Sequence, residues 1–150
     1  MQKIEVDTSN YAIASAPDIL STSGIGSCVA ICLYQKERKC GALLHIMLPR
    51  AEKDGLNPLR FADTALSTVL VELSKQNITK EQLVAKVVGG AQMFKNATSE
   101  NSIGARNVAE VRLLLTSVNI AIMAEDVGGT NGRSLEFNLE TGGVTISSKK

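Results

Sequence analysis

Two apolar runs flanking a short polar turn constrain this chain more than any other feature. Residues from Val29 to Tyr34 and from Cys40 to Leu48 are apolar apart from His45, and Gln35, Lys36, Glu37, Arg38 and Lys39 stand between them. A strand with one solvated face alternates polar and apolar residues, whereas these runs do not alternate. The pattern predicts a β-hairpin buried on both faces, with its turn through Lys36 to Lys39.

The rest of the chain supplies material to pack around that hairpin. Asn57 followed by Pro58 is a helix-start signature, and Ala62, Ala65, Leu66, Val69 and Leu73 recur at helical spacing, predicting a helix to about Ser74. Leu83 to Val88 reads as a strand closed by Gly89 and Gly90, and the polar stretch from Lys95 to Ser102 as a mobile loop. A second helix follows, capped by Ser102 or Asn101, with Ala105, Val108, Val111 and Leu115 on its apolar stripe and Arg106, Glu110 and Arg112 on the other face. Ile120 to Ala124 is a further strand ended by Gly128 and Gly129, and Arg133–Leu139 with Val144–Ser148 form a closing hairpin around Thr141, Gly142 and Gly143. Hairpins and helices without regular alternation predict an α+β class, with mostly antiparallel pairing and the two main helices packed outside. The 150 residues read as a single domain, 1–150.

Composition removes several classes of function. With 44% hydrophobic and 21% charged residues the chain has the make-up of a packed soluble protein. A formal charge of +1 supplies no field to attract a phosphate backbone or an anionic bilayer, and the few aromatics do not sit in basic runs, so nucleic acid is not an expected partner. The opening Met1, Gln2, Lys3, Ile4, Glu5 carries charge before any apolar run, and no later stretch has membrane-spanning length, so a cytoplasmic location without membrane insertion is expected. There Cys28, Cys32 and Cys40 stay reduced, and each has to be explained as a thiol.

Strand register brings one of those thiols beside the single histidine. If Gln35 faces Cys40, Ala30 stands opposite His45 and Cys28 opposite Met47, which makes Cys28 and His45 diagonal neighbours on one face. Such positions are roughly 7–8 Å apart at the backbone, within reach of an imidazole, so a thiolate–imidazolium pair becomes possible. A one-residue slip of the turn would send His45 to the opposite face. Gly24 and Gly26 bracket the turn before Ser27 and Cys28, where flexible backbone can aim amide N–H groups at one point as an oxyanion hole. Thr22 offers a hydroxyl to orient the imidazole, although Ser21, Ser23 and Ser27 offer the same group.

These residues resemble a known family. The run from Thr22 through Ser23, Gly24, Ile25, Gly26, Ser27, Cys28, Val29 and Ala30, followed by His45, Ile46, Met47, Leu48 and Pro49, is similar to the catalytic core of the CheD chemoreceptor glutamine deamidases. The resemblance continues through Phe61–Ala65, Gly89–Ala91 with Met93 and Phe94, Ile103–Asn107, Ala124–Asp126, Gly128, Gly129, Arg133 and Ser134, in family order across nearly the whole chain. It implies a layered α+β fold shared with certain deamidase toxins, catalytic roles for Cys28, His45 and Thr22, and no metal or organic cofactor. It also implies a methyl-accepting chemotaxis receptor as substrate protein and a CheC-type phosphatase as partner.

Blander readings compete. A lone cysteine is more often a small buried hydrophobe than a nucleophile, and a lone histidine more often a hydrogen-bonded core residue than a base. A zinc site from Cys28, Cys32, Cys40 and His45 fails on spacing, since residues four apart on a strand are separated by roughly 13 Å and Cys40 is expected on the other face. Asp63, Arg106 and the Gly89–Gly90 pair read as packing, ion-pair or turn residues. Against the deamidase stand two alternatives: another thiol hydrolase such as a cysteine protease, and a non-catalytic regulatory binding module for the phosphatase.

Overall fold

The computed structural model describes residues 1–51, 57–93 and 102–149. The predicted hairpin is its centre: β4 (Val29–Gln35) and β5 (Cys40–Ile46) are buried at every position, with Gln35 paired to Cys40 and Ala30 to His45 as the even turn requires. Around them lie β2 (Asn10–Ser15), β6 (Val84–Gly89) and β7 (Ala121–Val127), completing a five-stranded sheet of order β2-β5-β4-β6-β7. A second, four-stranded sheet has the order β1-β3-β8-β9, built from β1 (Lys3–Glu5), β3 (Ile19–Ile25), β8 (Gly132–Asn138) and β9 (Val144–Lys149). Among the described residues the β1–β3 and β6–β7 pairings and an isolated Leu48–Phe61 bridge are parallel and the other strand pairings antiparallel, in keeping with a mostly antiparallel α+β class.

The period of two along the hairpin divides the core into two clusters. Val29, Ile31, Leu33, Ala42, Leu44 and Ile46 point to the helices α1 (Ala62–Ser74) and α2 (Ile103–Ser117), where Leu66, Val69, Leu73, Val111 and Leu115 meet them. Ala30, Cys32, Tyr34 and Leu43 point the other way, onto Leu20, Ile25, Leu135 and Phe137 of the four-stranded sheet. The layers therefore run helices, five-stranded sheet, four-stranded sheet. The helices are outside as expected, but they cover one face only, and the second sheet covers the other.

Three details differ from the sequence reading. No strand was expected before Val29, yet β1, β2 and β3 lie there. The first helix does not run unbroken from Pro58: Asn57 caps a short 3-10 turn over Pro58–Arg60, and the chain becomes extended at Phe61 before α1 begins. The break occurs because the carbonyl of Arg60 accepts from the amides of Met47 and Leu48, while the amide of Ala62 donates to Leu48, pinning this corner to the end of β5. On α2 the buried stripe takes in Gly104 and Asn107, and Ala105 is only half-buried. The expected mobile loop from Lys95 lies outside the described residues up to Asn101, and Ser102 caps α2 by accepting from the amide of Ala105.

Candidate active site

The site forms where β3 of one sheet crosses to β4 of the other. Register along β3 shifts between Thr22 and Ile25, with Gly24 in the left-handed region at φ +67°, and the chain then turns through Gly26 and Ser27 into Cys28. Carbonyls anchor this turn to the protein: Gly26 O accepts from Ala91 N at 2.9 Å, Ser27 O from Asn107 Nδ2 at 2.9 Å, and Cys28 O from Gly90 N at 2.7 Å. In a trans peptide the C=O and the following N–H point in opposite directions. Anchoring Gly26 O and Ser27 O therefore turns the amides of Ser27 and Cys28 away from those anchors. Among the described residues neither amide donates to a protein carbonyl. The Gly26 amide does not share that freedom, since it donates to Gly24 O at 3.1 Å. The oxyanion donors on offer are thus the Ser27 and Cys28 amides; Gly24 and Gly26 shape the turn.

His45 is fully buried between the sheets, near the C-terminal end of β5, with Ala30 and Asn10 as its cross-strand neighbours. Its Nδ1 lies 2.8 Å from Thr22 Oγ1, and that hydroxyl donates its proton to Val6 O at 2.6 Å. A hydroxyl has one proton, so toward the ring Thr22 accepts and Nδ1 carries the hydrogen. The remaining lone pair is on Nε2, which is buried and has no hydrogen-bond partner among the described residues. This is the tautomer a general base needs. Of the four hydroxyls the sequence offers, the one at His45 Nδ1 is that of Thr22 and not of Ser21, Ser23 or Ser27; Ser21 reaches toward Ile4 O, and Ser23 is exposed.

Cys28 is half-buried and packs against the inter-sheet cluster that contains Ala30 and Leu43, on the same face as His45. The register keeps the two diagonal, as the even turn predicts, and in this geometry the thiol makes no hydrogen bond to Nε2. Burial does not favour the expected ion pair. Burial raises the Cys28 pKa, only partly offset by its own backbone N–H, and burial lowers that of His45 to about 4. Both shifts favour a thiol beside a neutral imidazole over a thiolate beside an imidazolium.

The other thiols do not converge on the site. Cys40 belongs to the helix-facing cluster; Cys32 lies on the inter-sheet face, fully buried, its pKa pushed up to about 12 mainly by burial. Asp63 accepts from the amides of Ala51 and Thr64 at the start of α1, and Arg106 is exposed. The Gly89–Gly90 pair is more than a turn. A Cβ on Gly89 would lie 2.3 Å from Cys28 O, and one on Gly90 2.2 Å from Val108 Cγ2, so Gly89 permits the close approach of the Cys28 backbone and Gly90 that of α2. Arg133 braces the same region through Gly128 O, Gly89 O and Asp126. Sequence reasoning also passed over Asn107, although it falls in one of the segments that carry the family resemblance.

Comparison with known proteins shows the family. Residues 47–148 match the family described as CheD chemotactic sensory transduction. The chain belongs to the CheD family. The chemoreceptor glutamine deamidase CheD of Thermotoga maritima is 40% identical, with 97% of this chain and 91% of the relative covered. Its namesake from Halalkalibacterium halodurans is 40% identical over 95% of this chain and 91% of the relative. The family match begins after His45, whereas the alignment to the Thermotoga protein takes in the segment that carries Thr22, Cys28 and His45.

Proposed function

We propose that this chain is a protein-glutamine deamidase that converts glutamine side chains of methyl-accepting chemotaxis receptors to glutamate, with Cys28 as nucleophile, His45 as base and Thr22 as its orienter. The observation that carries the reading is the Thr22-bound, Nδ1-protonated His45 whose free Nε2 shares a face with Cys28. The names of the relatives support side-chain amides of chemoreceptors as substrate.

A carboxamide is a weak electrophile, so nucleophile, oxyanion donors and acid must act together. Nε2 takes the thiol proton as sulfur attacks the amide carbon. The negative charge that forms on oxygen is met by the Ser27 and Cys28 amides. The C–N bond then breaks, Nε2–H passes its proton to the leaving nitrogen, and ammonia departs from a thioester. Water, deprotonated by the same Nε2, attacks the thioester carbon; the C–S bond breaks, the thiol recovers its proton, and glutamate is released. Thr22 keeps Nδ1 protonated throughout, its hydroxyl held by Val6 O.

Cleavage of a peptide bond would need the same chemistry, and a pure binding module would need none. Mass spectrometry of a receptor signalling-region fragment after incubation separates the three. Amide-to-acid conversion with ammonia release and an uncut chain supports the deamidase; a cleaved chain supports a protease; an unchanged fragment supports the binding module. We further propose that the chain works as one domain in the cytoplasm, where it meets the receptor's helical region, and that a CheC-type phosphatase competes for the face around Cys28. No helix among the described residues is long and apolar enough to cross a membrane. Bound phosphatase should slow deamidation competitively and shield Cys28 from alkylation; unchanged rates of both would remove the shared face.

A further inference from the structure

The geometry points to Asn107 as a positioning residue that sets the nucleophile loop against the base strand and aims an oxyanion donor. This inference rests on the hydrolase reading above. Asn107 is fully buried on α2, and its Nδ2 donates both hydrogens to backbone carbonyls: Ser27 O at 2.9 Å and Met47 O at 2.8 Å. Ser27 immediately precedes the nucleophile, and Met47 stands at the end of the strand that bears His45. A single side chain therefore ties together the two backbone segments whose relative placement decides whether sulfur and Nε2 can exchange a proton.

The fold brings Asn107 there by an unusually close contact one turn earlier. A Cβ on Gly104 would lie 2.4 Å from Ala91 O and 2.6 Å from Gly90 O, so any side chain there would lift α2 off the Gly90–Ala91 backbone. That backbone in turn holds Gly26 O and Cys28 O. Helix, glycine corner and nucleophile loop form one assembly, with Asn107 reaching past the corner to the base strand.

The other half of the same amide argues that the donors are what matters. Oδ1 is buried with no hydrogen-bond partner among the described residues. An orphaned buried acceptor is unfavourable, and an apolar residue of similar size would avoid it. Packing alone does not account for an asparagine here; its two N–H groups do. Fixing Ser27 O from the helix side also turns the Cys28 N–H, which belongs to the same peptide plane, away from the helix. Asn107 therefore touches no reacting atom, yet it sets both the thiol–imidazole spacing and the direction of one oxyanion donor.

Two variants of the full chain test this, assayed on a receptor signalling-region fragment by ammonia release. Asn107→Leu keeps apolar packing and removes both donors. It should lower kcat by roughly 10- to 100-fold, as expected when reacting groups are misplaced by about an ångström, while KM changes little. Hydrogen exchange should quicken together at residues 27–28 and 47–48. Asn107→Asp adds a pH signature. A buried carboxyl facing two carbonyls is held protonated to higher pH than usual, and in that form it can donate one of the two bonds. Its activity relative to the unsubstituted protein should therefore be greatest in mild acid and fall as pH rises.

A folded Asn107→Leu protein with normal kcat would overturn the inference, as would a pH-independent ratio for Asn107→Asp; should the leucine variant not fold, the aspartate ratio decides. If the unsubstituted protein released no ammonia, the deamidase reading would fail on its own. The inference would then be decided by iodoacetamide: a several-fold change in Cys28 alkylation in the variants upholds the clamp, and an unchanged rate overturns it.

Discussion

Protonation of His45 should be visible as a loss of stability, because this ring is the only histidine in the chain and is fully buried. Its pKa lies at about 4 when folded, against an ordinary value of 6.5. Between those values the unfolded chain binds a proton that the folded chain refuses, so stability rises with pH across that window and is lost as pH falls through it. At about 1.36 kcal/mol per unit, the shift amounts to about 3 kcal/mol once pH reaches about 4. Carboxylates also titrate there, so the comparison is with His45→Asn, which keeps a polar side chain but does not titrate. Urea denaturation of both proteins from about pH 7.5 to about pH 4 should give unfolding free energies whose difference closes by about 3 kcal/mol on acidification. The unsubstituted protein should also keep its base deprotonated, and its turnover rate should not decline until well below the usual histidine range. Parallel stability curves, or an activity limb near 6.5, would refute the buried neutral ring.

Cys28→Ala should abolish ammonia release at a stability cost of about 1 kcal/mol, whereas Cys32→Ala and Cys40→Ala should keep the chemistry and lose about 1 kcal/mol or more to packing, checked by rates and denaturation midpoints. Iodoacetamide labelling of Cys28 should be slow at neutral pH and still rising above the ordinary thiol range, because burial raises its pKa; rapid labelling at neutral pH would contradict the resting thiol. Thr22→Ala should cut turnover by about 10- to 100-fold by freeing the imidazole to rotate or change tautomer, with Thr22→Ser much milder. Equal rates for Thr22→Ala and the unsubstituted protein would move the orienting role elsewhere.

The diagonal of Cys28 and His45 was legible because it follows from the register of one hairpin. An even turn through Lys36 to Lys39 makes Ala30 the partner of His45, and the period of two then assigns Cys28 and His45 to one face and Cys40 to the other. The N-terminal strands escaped because their sequences resist the usual signs. Asn10–Ser15 is built of small residues, and Ile19–Ile25 carries Ser, Thr, Ser and Gly where a buried strand would have branched apolar residues. Those polar residues include Thr22, whose hydroxyl meets His45 Nδ1. Here the functional requirement blurs the structural pattern.

Local sequence, then, determined the elements whose partners are close along the chain: the buried hairpin, the apolar stripes of the helices, the glycine turn before Cys28 and the thiol–imidazole diagonal. Tertiary structure decided what depends on groups distant in sequence. The Val6 carbonyl selects the His45 tautomer through Thr22, Gly90 and Ala91 anchor the turn from Gly26 to Cys28, and Asn107 spans from Ser27 to Met47. Burial between two sheets, rather than any neighbouring charge, makes the resting pair neutral. The physical reason is that register and periodicity are short-range properties of the chain, whereas desolvation and the pairing of backbone carbonyls depend on which surfaces meet once it has folded.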